Sequence, residues 1–277
     1  DYVAANVEVT YPDGKVWITE GFKVAEDSSS TVQGGVVIED KDGNQFVWVP
    51  VATIADYKRT DFHLGTLTLY SENLATDEEN SITKYKGFYI GRYEAGDKEN
   101  TEAKTLRSSN DITKTVTIKA NQAPYNYVTR TQAVSLAEGF KTQQGYKAKT
   151  KLVSSYAWDT TLCFIQKIVD NYGNSSPQGN YTDTTFSYTD ITGASKTKEK
   201  NSKALVPTGQ TTPVCNIYDM GGNVYEWTTE TCSTPKYPYT IRGNGCDNHY
   251  VNASAGGRSN IEDRPDVYFG FRITLFL

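Results

Sequence analysis

The chain has 277 residues, and its 28 basic and 33 acidic side chains give a net charge of −5. Nucleic-acid binding needs a clustered positive surface, so this mildly acidic chain without a basic block is not expected to bind nucleic acid. No run approaches the length of an apolar membrane span, so direct membrane insertion of this segment is not expected either. The two histidines, His63 and His249, exclude a three-histidine metal site.

The first fifty residues predict two β-hairpins. Alternating apolar residues flank Pro12-Asp13-Gly14 within 7–19, and a similar pattern flanks Asp42-Gly43 within 35–51. Asp-Gly is typical of hairpin turns because the central residues must tolerate a positive φ. Both segments are therefore expected to be paired strands.

One strand and two helices are predicted further along the chain. The strand is 87–93, which is rich in apolar and aromatic residues. Apolar residues in 131–140 recur at helical spacing, with Thr131 as the predicted N-cap, and a second stripe predicts a helix over 155–169. Residues 170–210 contain few apolar side chains and are interpreted as a long decorated loop.

The most informative stretch is Cys215-Asn-Ile-Tyr-Asp-Met-Gly-Gly-Asn-Val-Tyr-Glu-Trp-Thr228. It is followed by Ile241-Arg-Gly243 and by the C-terminal Gly270-Phe-Arg-Ile-Thr-Leu-Phe-Leu277. In this order, the motifs resemble the formylglycine-generating-enzyme, or sulfatase-modifying-factor, family. Its signature reads roughly N-x-Y-D-M-x-G-N-V-W-E-W-T, then R-G-G-S, and ends in G-F-R. Tyr225 replaces the first Trp of that signature.

The resemblance implies an α+β fold class: the C-type-lectin fold of the formylglycine-generating-enzyme type, irregular and β-rich, with two main helices and long loops. It covers residues 35–277, which are expected to form the C-type-lectin-like domain with a ligand-binding region at about 237–277. Residues 1–34 are expected to be an N-terminal hairpin segment and connector. The polar stretch 25–35 is the predicted boundary.

The chemistry of the resembling enzymes is not expected here. They use two reactive cysteines near an A-A-R-S stretch, which corresponds to Ala255-Gly-Gly-Arg-Ser259 in this chain. That alignment places Tyr250 and Ala255 at the cysteine positions, and neither side chain can form a thiolate or bind copper. The ergothioneine-forming relatives hold iron with three histidines, which this chain lacks. We therefore expect no enzymatic activity and no required cofactor, with a residual sulfatase-modifying-type oxidase as the less favoured reading.

The same fold serves as the variable protein of diversity-generating retroelements, where adenine-directed mutagenesis rewrites codons near the C-terminus. Mutating both adenines of an AAY codon never yields Lys, Glu, Gln, Met or Trp. These five types number 49 in the chain, so the 41 residues of 237–277 have a proportional share of about seven, yet they contain only Glu262. This depletion favours a non-catalytic, diversified ligand-binding protein. The alternative is a fixed-specificity carbohydrate-binding adhesin.

The predicted ligand-binding surface mixes aromatic side chains with adaptable polar groups, the combination that antibody paratopes use. Its residues are Asn244, Cys246, Asp247, Asn248, His249, Tyr250, Asn252, Ser259, Asn260, Ile261, Asp266, Tyr268 and Phe269. We expect these side chains to be largely exposed and to form one contiguous surface. The family frame residues between them are expected to brace loops through hydrogen bonds; they are Arg242, Gly243, Arg258 and Arg272.

The resemblance also implies a possible structural calcium ion. In the resembling enzymes one side-chain oxygen, two backbone carbonyls and a Glu hold it; here these are Asp219, the carbonyls of Gly222 and Val224, and Glu226. Calcium prefers such oxygen ligands. The alternative is a structural turn in which Asp219 accepts hydrogen bonds from local backbone N–H groups and Glu226 pairs with an arginine.

The expected partner is a protein or glycan ligand on another cell or a host surface. The expected location is extracellular or on a bacterial or phage surface, with the anchor outside these residues. Cys232 and Cys246 flank the 241–243 motif and either form a disulfide in an exported protein or remain free thiols.

Overall fold

The computed structural model describes residues 1–100, 110–249 and 253–277. Within these ranges the helices are α1 (Thr76–Tyr85), α2 (Arg130–Gln144) and α3 (Ser155–Ile165), with a 3₁₀ turn at Ile54–Asp56. The strands are β1 (Val7–Tyr11), β2 (Gly14–Ile18), β3 (Phe22–Val24), β4 (Val37–Asp40), β5 (Gln45–Pro50), β6 (Tyr70–Ser71), β7 (Gly87–Gly91), β8 (Gly96–Asp97), β9 (Val116–Thr117), β10 (Ala123–Pro124), β11 (Lys149–Leu152), β12 (Phe186–Thr189), β13 (Ser195–Lys198), β14 (Tyr225–Cys232), β15 (Tyr239–Arg242), β16 (Arg258–Ile261), β17 (Phe269–Phe271) and β18 (Ile273–Phe276).

Two main sheets organise these elements. A six-stranded antiparallel sheet has the order β11-β18-β7-β5-β4-β3. A second sheet has the order β16-β15-β14-β17, with β6 also paired to β14. In it β17 runs parallel to β14, while β15 and β16 are antiparallel. The β-rich α+β fold class is thus confirmed.

Both predicted hairpins are present. β1 pairs with β2 around Pro12 and Asp13, and β4 pairs with β5 around Gly43, whose φ is +81°. A second function of the first turn was not visible in the sequence. The Asp13 carboxylate accepts hydrogen bonds from the backbone N–H groups of Val32 and Gln33, at 2.7 and 2.9 Å, and so fastens the hairpin to the connector.

The predicted boundary at residue 34 does not separate two cores. Val16, Phe22 and Val32 are buried in the same apolar cluster as Trp48. In addition β3 pairs with β4, so the six-stranded sheet includes residues from both sides of the boundary. The N-terminal segment therefore packs as part of the main domain's core.

The fold contains three α-helices within the described residues, and not only the two main helices expected. The additional helix, α1, has few apolar residues but buries Ile82 and Glu78. The N-cap of α2 is Thr129, whose side chain accepts a hydrogen bond from Gln132 N, so the predicted cap at Thr131 was wrong by two residues. Helix α3 starts after Ser154 as predicted but ends at Ile165.

The C-terminal motif joins the two sheets. The predicted single strand 270–277 is split into β17, which belongs to the second sheet, and β18, which lies between β11 and β7 in the first. Arg272 lies at the crossover, and its guanidinium is fully buried. The chain end is therefore structural, as its alternating apolar residues predicted.

The long loop 170–210 contains the β12–β13 hairpin, which the sequence did not predict. The Nζ atom of Lys198 on β13 donates to the backbone carbonyls of Tyr181, Thr182 and Thr184, the last two at 3.2 and 2.8 Å. Burial of this ammonium lowers the pKa of Lys198. The hairpin is thus fastened to residues 181–184, beside the C-terminal loops.

No helix in the described ranges has the length and apolar character needed to cross a membrane.

Candidate ligand-binding cleft

A network of buried charges, here called the buried charge cluster, underlies the C-terminal loops. It consists of Asp159, Glu230, Arg242 and Arg258, whose side chains are 0% exposed. Asp159 pairs with Arg242 at 2.6 Å and with Arg258, which in turn pairs with Glu230 at 2.8 Å. The cluster links α3 to strands β14, β15 and β16.

Three of the frame residues brace loops as predicted. Arg242 Nε donates to Gly257 O at 3.0 Å, and Arg258 Nη1 donates to Thr60 O at 3.2 Å. Arg272 donates to the carbonyls of Gly91 and Tyr218 at 2.9 and 2.7 Å. The frame therefore holds the backbone around the candidate site by satisfying buried carbonyl groups, which are costly to leave unpaired.

Gly243 meets a backbone requirement. Its φ is +83°, and a Cβ at this position would lie 2.6 Å from Met220 O. Both the conformation and the space demand glycine.

Above this frame lies a cleft of about 240 Å³. Its lining consists of Tyr225, Ile241, Asp247, Ser259, Asn260, Ile261, Arg264, Asp266, Tyr268 and Phe269. Seven of these residues belong to the predicted ligand-binding surface, and they come from three parts of the chain: Asp247, 259–261 and 266–269. Folding thus brings together side chains that are separated by up to 22 positions in the sequence.

Two local structures position the cleft walls. One wall is β16, an edge strand held in register by β15, with Ser259 opposite Ile241. The other wall is a turn in which Asp266 Oδ1 accepts a hydrogen bond from Tyr268 N at 3.0 Å, and Asp266 O accepts one from Phe269 N at 3.1 Å. Such Asp-centred turns fix a short loop through its own side chain.

Aromatic rings form much of the cleft. Phe269 makes edge-to-face contacts with Tyr225 and Trp227, with centroid distances of 5.7 and 5.3 Å. Tyr225 is half-buried, and its hydroxyl donates to Asn248 Oδ1. Burial raises the pKa of the Tyr225 hydroxyl, which therefore stays protonated at neutral pH.

The charges in the cleft are only partly balanced. Arg264 Nη1 pairs with Asp266 Oδ2 at 2.8 Å, and the guanidinium carbon lies 5.3 Å from the Phe269 ring centroid. Asp247 is half-buried, and its Oδ1 atom is buried without a hydrogen-bond partner. Burial raises the pKa of Asp247 above its ordinary range, although the Tyr225 hydroxyl and the charge of Lys203 oppose the shift.

The expectation of broad exposure is wrong for three predicted residues. Asn244, Cys246 and Phe269 are buried, at 9%, 0% and 5% exposure. Asn244 Oδ1 accepts a hydrogen bond from Ser254 N at 3.0 Å, and Cys246 packs with the apolar side chains of Leu205 and Val224. The Asn244 and Cys246 side chains therefore hold the loop to the core. Their small size and polarity did not reveal this role in the sequence.

The remaining predicted residues lie beside the cleft or outside the described ranges. Asn248 Oδ1 also accepts a hydrogen bond from Gly245 N at 3.2 Å, so this side chain shapes the loop. His249 is exposed, with Nδ1 3.6 Å from Asp183. Tyr250 and Asn252 lie outside the described residues.

Three lining residues were missed by the sequence reasoning: Tyr225, Ile241 and Arg264. Tyr225 carried a usable signal, since it is the one departure from the family signature, where the first Trp is expected. Arg264 is also reachable from an AAY codon.

Both carboxylates of the predicted calcium site, those of Asp219 and Glu226, already have partners within the protein. Glu226 pairs with Arg272 at 2.8 Å, while Asp219 accepts hydrogen bonds from Thr211 Oγ1 at 2.6 Å and Gly209 N at 3.1 Å. The described residues contain no group of three or more His, Cys, Asp or Glu side chains able to hold a metal. Calcium binding stays a prediction, which thermal melting with and without EDTA tests.

The cysteines are free thiols in the structure. Cys232 Sγ donates to Thr234 Oγ1 at 3.5 Å, whereas Cys246 Sγ donates to Lys203 O at 3.3 Å. Of the two alternatives for this pair, the structure contains the unbridged one. Burial also raises the pKa of Cys246, which makes it a poor nucleophile.

Comparison with known proteins identifies the family. The sequence profile of the sulfatase-modifying factor enzyme 1-like domain matches residues 23–275. The chain belongs to this family. The resemblance seen in the signature at 215–228 is therefore confirmed, and the match begins twelve residues before the predicted domain start. No curated protein sequence matches the chain significantly.

Several solved structures are similar to the chain. Treponema denticola variable protein 1 is 11% identical, with a TM-score of 0.46 over 85% of this chain and 96% of that one. PvdO from Pseudomonas aeruginosa is 16% identical, with a TM-score of 0.43 over 87% and 98%. CarF is 13% identical, with a TM-score of 0.43 over 76% and 95%.

Proposed function

We propose that this family member is a non-catalytic ligand-binding protein whose C-terminal cleft is the binding site. One observation carries the proposal: seven residues of the predicted ligand-binding surface, which lie between the family frame residues and differ from them, line a single cleft of about 240 Å³. Binding sites are typically concave, with apolar and aromatic walls and a few polar groups. The cleft has this composition and lies beside the ion-paired buried charge cluster.

The absence of family chemistry supports a non-catalytic role. Ala255 takes one of the two positions that are cysteines in the resembling enzymes, and its side chain is fully buried. Trp158 Nε1 donates to Ala255 O at 2.8 Å, which fastens this segment to α3. An alanine in the core has neither a thiolate nor access to substrate. The other position, Tyr250, lies outside the described residues.

We further propose that the site is diversified, as in the variable proteins of retroelements, and that the protein acts outside the cell or on a bacterial or phage surface against a protein or glycan ligand. The depletion of five residue types in 237–277 supports diversification. Most cleft side chains are only half-buried, so their replacement leaves the core intact.

Sequencing the gene and its neighbours from many cells tests diversification. We expect a nearby reverse transcriptase gene, a near-copy template, and substitutions concentrated at 247, 259–261 and 266–269. An invariant gene without a template would contradict diversification and favour the fixed-specificity carbohydrate-binding adhesin.

Binding itself is tested with arrays of glycans and of bacterial surface proteins. A variant with Ser259→Ala, Asn260→Ala and Tyr268→Ala should lose the interaction. The control is Thr131→Ala, outside the cleft, which should retain it. Equal binding by the triple variant and the parent would contradict the assignment of the cleft.

A further inference from the structure

The cleft already holds one cationic side chain of its own. The Arg264 guanidinium packs against the Phe269 ring and pairs with Asp266, while its side chain remains 41% exposed. A cation over an aromatic face, with a carboxylate at its edge, is a favourable arrangement for a guanidinium. The wall formed by Phe269 and Asp266 is thus built to receive one.

The acidic character of the cleft exceeds what Arg264 neutralises. Asp247 lines the same cleft, and its Oδ1 atom is buried without a partner. Glu262, half exposed at the rim, lies 3.6 Å from Arg264. Within the described part of the chain, Arg264 is the only basic residue that lines the cleft; Lys203 lies near Asp247 but is not part of the lining.

We infer, on the basis of the proposed function, that the cleft binds a basic side chain of a protein partner, a guanidinium in particular, and that Arg264 is an internal occupant which competes with it. The incoming cation would lie against Phe269 and pair with Asp266, while Arg264 moves outward into solvent. A neutral glycan would leave the Asp247 carboxylate without a balancing charge from the cleft lining.

The inference is tested on the full chain with N-acetyl-L-arginine amide as the probe and N-acetyl-L-citrulline amide as its neutral isostere. Binding is followed by the shifts of backbone amide resonances in 259–261 and 266–269. We expect arginine-specific shifts in both segments and much weaker shifts with citrulline. Equal shifts with both probes would overturn the inference, as would stronger shifts with a neutral methyl glycoside.

Substitutions separate the roles of the two charges. Asp266→Asn keeps the acceptor of the Tyr268 N–H group, so the turn should persist while affinity for the arginine probe falls about tenfold. Arg264→Gln removes the competitor and should strengthen probe binding about threefold or more. If Arg264→Gln weakens binding, the guanidinium contacts the ligand instead of competing, and the inference fails.

The matched control is Asp263→Asn, which removes the same charge nearby but outside the cleft, where Asp263 accepts a hydrogen bond from Thr131. It should change the probe affinity less than about twofold, because exposed charges act weakly through solvent. If the arginine probe does not bind, yet an array ligand is lost with the triple cleft variant, only the cationic inference fails. If neither binds, the proposed function fails as well.

Discussion

The buried charge cluster and the cleft above it are two polar regions with opposite properties. In the cluster, Asp159, Glu230, Arg242 and Arg258 are 0% exposed and joined by direct pairs, although Arg242 Nη1 has no hydrogen-bond partner. In the cleft, most side chains are half-buried, and one Asp247 oxygen has no hydrogen-bond partner.

The difference shows how one region can vary while the other cannot. A buried charge that loses its partner is strongly destabilising, so each member of the cluster constrains the others. A half-buried polar side chain retains contact with water, so its replacement costs little. The fold can therefore tolerate substitutions in the cleft while the buried charge cluster stays constant.

The largest expected effect comes from breaking the cluster. Asp159→Asn removes the negative charge shared by Arg242 and Arg258 and should lower the free energy of unfolding by about 3–5 kcal/mol. Urea denaturation followed by Trp fluorescence measures it. Asp263→Asn should change the same quantity by less than about 0.5 kcal/mol. A loss below about 1 kcal/mol for Asp159→Asn would show that the members of the cluster do not constrain one another.

A smaller effect is expected where the 170–210 loop supports the cleft. Lys198→Met removes the ammonium donor from the carbonyls of Tyr181, Thr182 and Thr184, of which the first two keep backbone N–H donors, and should cost about 1–3 kcal/mol. Thr182 N donates to Asn248 O at 2.7 Å, so amide exchange at Thr182 should accelerate. Lys15→Met, at an exposed ion pair, is the control. Unchanged amide exchange at Thr182 would show that the β12–β13 hairpin does not support the cleft.

In the cleft, removing a carboxylate charge should stabilise the folded protein instead of destabilising it. Because burial raises the pKa of Asp247, its ionised form opposes folding once the pH exceeds the ordinary aspartate range. Asp247→Asn should therefore be more stable than the parent at pH 7, by less than about 1 kcal/mol after solvent screening, and equal to it near pH 3. Melting temperatures at the two pH values measure this. A variant less stable at pH 7 would place Asp247 among the structural charges.

The smallest effect is expected at a partly exposed ion pair outside both regions. Burial opposes ionisation of Asp77, but hydrogen bonds from Lys149 and Lys151 outweigh it and lower its pKa to about 2. Its stabilising contribution is present above the ordinary aspartate pKa and lost as the pH falls towards 2. Asp77→Asn should cost at most about 0.5 kcal/mol at pH 7 and nothing at pH 2. A loss as large as that of Asp159→Asn would contradict the distinction between buried and exposed pairs.

Local sequence patterns were sufficient where the physical cause is local. The turn residues at Asp13 and Gly43 specify hairpins, and the stripe after Ser154 specifies α3. The family follows from the signature at 215–228, because a long motif with fixed spacing is specific. The stretches between the family frame residues were enough to mark seven of the cleft residues.

Tertiary structure decided what depends on distant partners. Helix α1 is stabilised by burial of Ile82 and by the hydrogen bond of 2.8 Å from Tyr57 to Glu78, which lie far apart in the chain. Cys246 and Asn244 are small and polar enough to lie on a surface. Both are buried instead, because their side chains hold the loop backbone against the core. The identity of the family and most of the cleft lining were thus determined by the sequence, whereas burial and charge pairing required the structure, since both depend on which residues meet.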